Sequence, residues 1–345
     1  MLEALTQQLS AARPLADDQI RQAVEQLADE TVAPPVKADF LAALGRKGET
    51  PGEIAAFALA LRDKSVPVPF GPELRAHEIL DVVGTGGDRL GTFNISTVAA
   101  MICAAAGVNV AKHGNRAVTS QAGSADVLET LGVRIHSTPA DAVRSLSEQH
   151  FAFFFAPDYH PAFRHIAPAR KLCAERGQRT IFNLLGPLLN PARPSAMLVG
   201  VPRPELCEPF ARVLQLLGIR RAMVVCGAVS ATSCLDELST LGENTIAEFY
   251  QERGFATSIL SPVQFPVQPA TLADLLGGDR QANAEIVRRI LHGAERGPKR
   301  DAVLLNAAAA LFVAGKTRSL LEGWDLAEKL IESGAAAAKL AALTR

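Results

Sequence analysis

The chain has 345 residues, 48% of them apolar, with 35 Lys and Arg balanced by 36 Asp and Glu. A formal net charge of −1 leaves no basic excess for nucleic acid or an anionic membrane surface. With 26 Gly and 21 Pro the composition also excludes a mainly disordered or fibrous chain, and the length predicts one large domain or two unequal ones.

The first 70 residues read as helices. Ile20, Val24 and Leu27 make an apolar stripe in a helix over Ala16–Glu30, and Phe40, Leu41 and Leu44 do so over Pro35–Gly45. Thr50-Pro-Gly-Glu53 predicts a capped start for a third helix, with Glu53 reaching back to the cap amide. The prolines of Val66-Pro-Val-Pro-Phe-Gly-Pro-Glu73 interrupt helix and predict a hinge or linker near 66–78.

Beyond it strands and helices alternate. Ile79–Val83, Val108–Ala111, Phe151–Phe155, Ala196–Val201 and Ala222–Cys226 read as strands. Ser96–Gly107, Ala125–Leu131 and Glu205–Leu217 read as helices. Such alternation predicts an α/β fold with a mainly parallel sheet flanked by helices. The tail returns to helices at Ala282–His292, Asp301–Ala314, Ser319–Ser333 and Ala335–Leu343, its alanines suited to close helix packing.

Cys103, Cys173, Cys207, Cys226 and Cys234 are scattered, with no Cys-x-x-Cys pair, so neither a disulfide framework nor a thiolate zinc site is expected. The first residues lack an export signal's basic and apolar regions, and no apolar run reaches the roughly 18 residues of a membrane helix. A cytoplasmic protein with no membrane partner is expected.

Four clusters carry the chemistry. Asp81-Val-Val-Gly84-Thr-Gly-Gly87-Asp88 runs from a strand into Thr92-Phe-Asn94-Ile95-Ser96-Thr97, which opens a helix. Glycines admit close backbone approach, and amides and hydroxyls at a helix start cradle phosphate. The pattern is neither a Walker loop nor the dinucleotide fingerprint, which would need Gly where Arg89 stands. A plain strand–helix turn is the alternative. Lys112-His113-Gly114-Asn115-Arg116, at the end of another strand and followed by Thr119-Ser120-Gln-Ala-Gly-Ser124, can meet phosphate and carboxylate together, or be a solvated turn. Asp236-Glu237 could hold a divalent cation that also grips phosphate, although an isolated acidic pair is usually a solvated helix start. His160, Arg164 and Arg170 could hold an acidic aromatic molecule, or be surface charges. Asn183-Leu-Leu-Gly-Pro-Leu-Leu-Asn190 carries Gly and Pro at turn positions and reads as structural.

In this order the clusters, with Gly123-Ser-Ala-Asp-Val-Leu-Glu129, Arg179-Thr-Ile-Phe-Asn-Leu-Leu-Gly-Pro187 and Leu304-Leu-Asn-Ala-Ala-Ala-Ala310, resemble the anthranilate phosphoribosyltransferases of tryptophan biosynthesis over nearly the whole chain. The resemblance implies a small N-terminal helical domain, 1–70, joined by a segment around 171–190 and hinged to an α/β domain, 76–345. It implies transfer of phosphoribose from phosphoribosyl pyrophosphate (PRPP) to the amine of anthranilate, two magnesium ions, and a homodimer through the helical domain. PRPP would be surrounded by Gly84, Gly87, Asp88, Thr92, Asn94, Ile95, Ser96, Thr97, Lys112, His113, Gly114, Asn115, Arg116, Ala117, Val118, Thr119, Ser120 and Ser124. Anthranilate would meet Gly84, Asn115, Arg170, His113 and His160, and the metal Ser96, Asp236 and Glu237. The resemblance gives no covalent nucleophile or general base. The chain departs from the family pattern at Cys226–Leu235, longer than the usual His-Gly stretch, at Phe163-Arg164, and at Gln121-Ala122. Two alternatives stand beside this reading: phosphorolysis of a pyrimidine nucleoside, and a paralogue that binds without catalysis.

Overall fold

The computed structural model describes residues 1–117, 121–250 and 254–344. Four helices come first: α1 (Leu2–Ser10), α2 (Asp17–Ala28), α3 (Pro34–Lys47) and α4 (Pro51–Asp63). The Thr50 capping box forms as predicted. The Glu53 amide donates to Thr50 Oγ1 at 3.2 Å, and the Thr50 amide to Glu53 Oε2 at 2.9 Å. Ile20, Val24, Leu27, Phe40, Leu41 and Leu44 are all buried, so both apolar stripes face the bundle core. The proline-rich stretch, with the short helical turn α5 (Pro72–Arg75), is a packed connection. The Val66 amide donates to the Tyr159 carbonyl, and Val66, Val68, Phe70 and Leu74 lie on a small core formed by Ile79, Ala111 and Phe154.

The α/β part continues with β1 (Ile79–Gly84), α6 (Ile95–Ala105), β2 (Asn109–Gly114), α7 (Ser124–Thr130), α8 (Pro139–Gln149), β3 (Phe151–Phe155) and the short α9 (Ala156–Tyr159). Then come α10 (Ala167–Glu175), α11 (Phe182–Leu185), β4 (Ala196–Gly200), α12 (Cys207–Leu216), β5 (Arg221–Ala228), β6 (Cys234–Leu235), β7 (Asn244–Tyr250) and β8 (Gly254–Leu260). The tail is α13 (Leu272–Leu275), α14 (Arg280–Leu291), α15 (Pro298–Val313), α16 (Leu320–Glu332) and α17 (Ala335–Leu343).

The strand order is β3-β2-β1-β4-β5-β7-β8, with β6 paired to β5. The five strands β3, β2, β1, β4 and β5 are parallel, as the alternation predicts. The antiparallel β7–β8 pair and helix α8 were not among the sequence expectations. The chain leaves β1 toward β2 and β3, then returns to place β4 on the other side of β1. This is the switch point at which open sheets bind ligands, outside the carboxyl ends of the strands. β1 and β4 run in register up to the pair Gly84 and Gly200, which face each other at that edge.

Successive residues of each strand serve opposite layers. Leu80 and Val82 of β1 join the core built on α6, α15 and α16, whereas Met197 and Val199 of β4 join the core shared with the helical bundle and α12. The alanine-rich tail is close packing, as expected. Ala307–Ala310 are fully buried, and a methyl at Gly323 of α16 would sit 2.6 Å from the Ala308 carbonyl. Residues that follow Arg170 pack on the bundle: Cys173 of α10 donates to the Ala38 carbonyl of α3, and Cys173, Ile181 and Leu185 are buried in the core shared with it.

Candidate active site

β1 ends in Gly84, and the following turn carries Gly86 and Gly87 at φ of +74° and +94°, values that favour glycine. The Gly86 amide donates to Asp236 Oδ2 at 2.6 Å. Asp236 and Glu237 follow the short strand β6, not a helix start, and they lie against the ends of β1 and β4. A side chain at Gly84 would overlap the Asp236 carboxylate, and one at Gly200 would overlap its main-chain carbonyl. The paired glycines are thus the bed on which the acidic pair rests. Asp88 sits across the turn, accepting the Leu90 amide at 3.2 Å.

Helix α6 opens beside the acids. Ile95 is buried at its first turn, and the Ser96 amide donates to Glu237 Oε1 at 3.2 Å. Thr97 is buried with its hydroxyl unpartnered. Thr92 bridges to Leu276, and Asn94 is fixed between the Ala122 carbonyl and the Asn283 amide, at 3.2 and 3.1 Å. Lys112, 2% exposed, donates to the Val82 carbonyl at 2.6 Å and reaches Ser96 Oγ at 3.4 Å. Strand β2 runs three residues further than predicted, so Lys112, His113 and Gly114 are its last residues rather than the turn after it.

The electrostatics follow from crowding. Asp236 is held well above the ordinary carboxylate range, first by withdrawal from water and then by Asp88 and Glu237. Withdrawal from water pushes Glu237 up to about 7, against the pull of Lys112 and the Ser96 amide. Two crowded acids and a serine hydroxyl are an oxygen-only set suited to a hard divalent cation. Among the described residues no group of three or more His, Cys, Asp or Glu is placed to hold a metal. The fit is therefore to an ion that takes its remaining ligands from phosphate and water, as magnesium usually does.

On the far side of Lys112 lies a second polar region. His113 Nδ1 donates to the Gly186 carbonyl at 3.3 Å, and its ring meets His160 edge-on at 5.4 Å between centroids. His160 stacks on Phe163 at 5.2 Å, Phe163 meets Phe182 edge-on, and the exposed Arg170 lays its guanidinium over Phe182 at 5.1 Å. Burial pulls His113 down to about 3 and His160 to about 4, so both are neutral, and both Nε2 atoms are buried without a partner. With Nδ1 donating to a carbonyl, His113 Nε2 is an acceptor.

Asn115, exposed, and Gly114 adjoin Ser124, whose hydroxyl lies 3.5 Å from the Asn115 carbonyl. The Arg116 guanidinium is committed to Asp126 and Glu129, at 3.1 and 2.8 Å, so it braces α7. The Ala117 and Gly123 amides both donate to Asp126 Oδ2 at 2.9 Å. Val118, Thr119 and Ser120 lie outside the described residues.

Sequence reasoning missed Gly200 and gave Asp81 no role, while the structural reading of the Asn183–Asn190 stretch is borne out at Asn190. Gly200 ends an apolar strand just as Gly84 does, and that parallel was the available signal. Asp81 is fully buried, accepting Asn190 Nδ2 at 2.8 Å and the His113 amide at 3.3 Å, while Asn190 also bonds the Ala111 carbonyl at 2.7 Å. Only its place in an otherwise apolar strand marked Asp81.

A glycine turn, an acidic pair and a buried lysine meet at the switch point of the sheet, the place where open α/β sheets take their ligands. Residues 3–65 match the helical bundle domain of the glycosyl transferase family and residues 76–337 its a/b domain. Anthranilate phosphoribosyltransferase of Petrotoga mobilis is 44% identical over 340 residues, 99% of this chain and 95% of its own. That of Roseiflexus castenholzii is 46% identical over 334 residues, 96% of this chain and 94% of its own. The crystal structure of anthranilate phosphoribosyltransferase from Thermus thermophilus superposes with a TM-score of 0.88 at 42% identity, covering 99% of this chain and 98% of that one. The Saccharomyces cerevisiae enzyme in complex with PRPP and Mg superposes at 0.86, with 27% identity, over 99% of this chain and 96% of that one. The chain belongs to the anthranilate phosphoribosyltransferase family.

Proposed function

We infer that this chain transfers the 5-phosphoribosyl group from PRPP to the amine of anthranilate, releasing pyrophosphate, as the second step from chorismate to tryptophan. The observation that carries this reading is the junction of two chemically different regions at Lys112. On one side the Gly84–Asp88 turn, the α6 start and the acidic pair suit a polyphosphate with its cation. On the other, His113, His160, Phe163 and Arg170 suit a flat acid.

Breaking the bond from the anomeric carbon to pyrophosphate leaves positive charge on the ribose and negative charge on the leaving group. Asp236, Glu237 and Ser96 would hold magnesium, which when bound neutralises phosphate charge. Lys112, fixed by the Val82 carbonyl, sets its Nζ beside that edge, where burial pulls its pKa down and the acids Asp81 and Glu237 oppose that pull. The Gly86–Gly87 turn, tied down by its bond to Asp236, borders the same edge without needing to reorganise. Arg170 offers a planar fork for the anthranilate carboxylate. The resemblance assigns Asn115 and Gly84 to anthranilate as well, and His113 Nε2 can accept an N–H of the amine and so orient its lone pair. The chain's residues position and stabilise; no covalent nucleophile is required.

The resemblance supports two metal ions at the acidic pair, Ser96 and the phosphates. The resemblance supports a homodimer through the helical bundle formed by residues 1–70, a hinge to residues 76–345, and a cytoplasmic location. No described helix is long and apolar enough to cross a membrane. The relatives' names favour this reading over nucleoside phosphorolysis and over a non-catalytic paralogue. Chromatographic detection of N-(5-phosphoribosyl)anthranilate and pyrophosphate in equal amounts would support it. Release of free base from uridine or thymidine with inorganic phosphate, and no such product, would replace it.

A further inference from the structure

We propose that the helical bundle sets the geometry of the acceptor side through two buried cations, Lys37 and Arg62, acting as positioning residues on main-chain carbonyls. The proposal rests on reading the His113, His160 and Arg170 region as the acceptor side. Lys37, on α3 and 1% exposed, donates to the Asp29 carbonyl at 2.7 Å and to the His165 carbonyl at 2.9 Å. His165 lies midway between His160 and Arg170, so this bond pins the segment that carries both. Arg62, in the last turn of α4, is 4% exposed and donates through Nε to the Leu188 carbonyl at 2.5 Å. Leu188 stands between Gly186, whose carbonyl fixes His113, and Asn190, which ties the same turn to Asp81 and Ala111.

The cost of these cations shows that they are not packing. Among the described residues neither forms an ion pair with a carboxylate, and Arg62 Nη2 is buried with no hydrogen-bond partner. Burying a cation under such terms is costly, and an apolar side chain of similar volume is often the more stable occupant. What an apolar residue would not supply is a directed bond from the bundle to each acceptor-side turn. The donor side shows no such dependence: Gly86, Ser96, Lys112, Asp236 and Glu237 bond to one another within the α/β part.

The test is steady-state kinetics of the full chain with Arg62→Met, Lys37→Met and the conservative Arg62→Lys, varying each substrate at saturation of the other. Both Met variants are expected to raise KM for anthranilate about tenfold, since small misplacements at a binding site are amplified. KM for PRPP should stay within about twofold, and Arg62→Lys, which keeps a donor at the carbonyl, should recover most of the loss. An equal rise in both KM values, a fall in kcat alone, or no change would overturn the positioning role. If Arg62→Met does not fold, Lys37→Met is judged by the same split. Failure of the wild-type chain to consume anthranilate would instead overturn the acceptor reading itself.

Discussion

Gly86 and Asp236, 150 positions apart in sequence, are joined by a hydrogen bond of 2.6 Å from the glycine amide to the aspartate carboxylate. The bond locks the phosphate turn to the acidic pair, so neither element is placed without the other. Asp236→Ala would therefore remove both the proposed cation ligand and the anchor of the turn. We expect kcat to fall about 100-fold or more with the fold retained, checked by turnover and circular dichroism together. Activity near that of the wild type in a folded variant would contradict the assignment.

Gly84 and Gly200 make the same point from the backbone. Gly200→Ala would force the main-chain carbonyl of Asp236 away, where no flexible side chain can yield. Overpacking of this kind costs typically about 1–3 kcal/mol, and the displaced acids should weaken magnesium-dependent turnover as well. Denaturant midpoints and magnesium titrations of activity check both halves of the expectation.

Much of this was legible beforehand and some was not. The Thr50 capping box and the Gly84–Asp88 turn announce themselves through local rules, because caps and turns depend on neighbouring residues, whereas the strand through Val110 and Ala111 runs on to Gly114, past its expected end. The position of Asp236-Glu237 against Gly84 and Gly200 depends on β6 and on a sheet register that no local pattern encodes. Arg116 shows the converse. Its motif suggested an anion-facing cation, but acids ten and thirteen residues away on α7 hold its guanidinium. The β7–β8 pair escaped notice because it adds antiparallel strands to an otherwise parallel pattern.

Asn190 should matter for stability more than its turn position suggests. Its amide is the buried link between Asp81 and the Ala111 carbonyl. Asn190→Ala leaves the Asp81 carboxylate short of a donor in an enclosed site, an expected loss of roughly 1–3 kcal/mol measurable by urea denaturation. An unchanged midpoint would show that Asp81 finds another partner.

The two buried histidines give a pH signature. Unfolded, each takes up a proton below about pH 6.5; folded, His160 does so only near 4 and His113 near 3. Their contribution is whole above 6.5 and declines as pH falls from there, by up to about 1.4 kcal/mol per pH unit for each. Asp81, pushed up to about 6 by burial, and Glu237, pushed to about 7, work in the opposite sense, so variants and not the wild-type slope are diagnostic. The double variant His113→Asn, His160→Asn should lose less stability than the wild type between pH 7 and 5. An identical loss in both proteins would contradict neutral burial.

The central claim is that one site holds a polyphosphate with its cation beside an aromatic acid and joins them. It is tested most directly by following anthranilate fluorescence after mixing the purified chain with PRPP and magnesium, with and without EDTA. Loss of fluorescence that EDTA abolishes and added magnesium restores is the expected result. Unchanged anthranilate fluorescence in a folded protein that still binds PRPP would contradict it, leaving the donor site in place and the acceptor wrongly assigned.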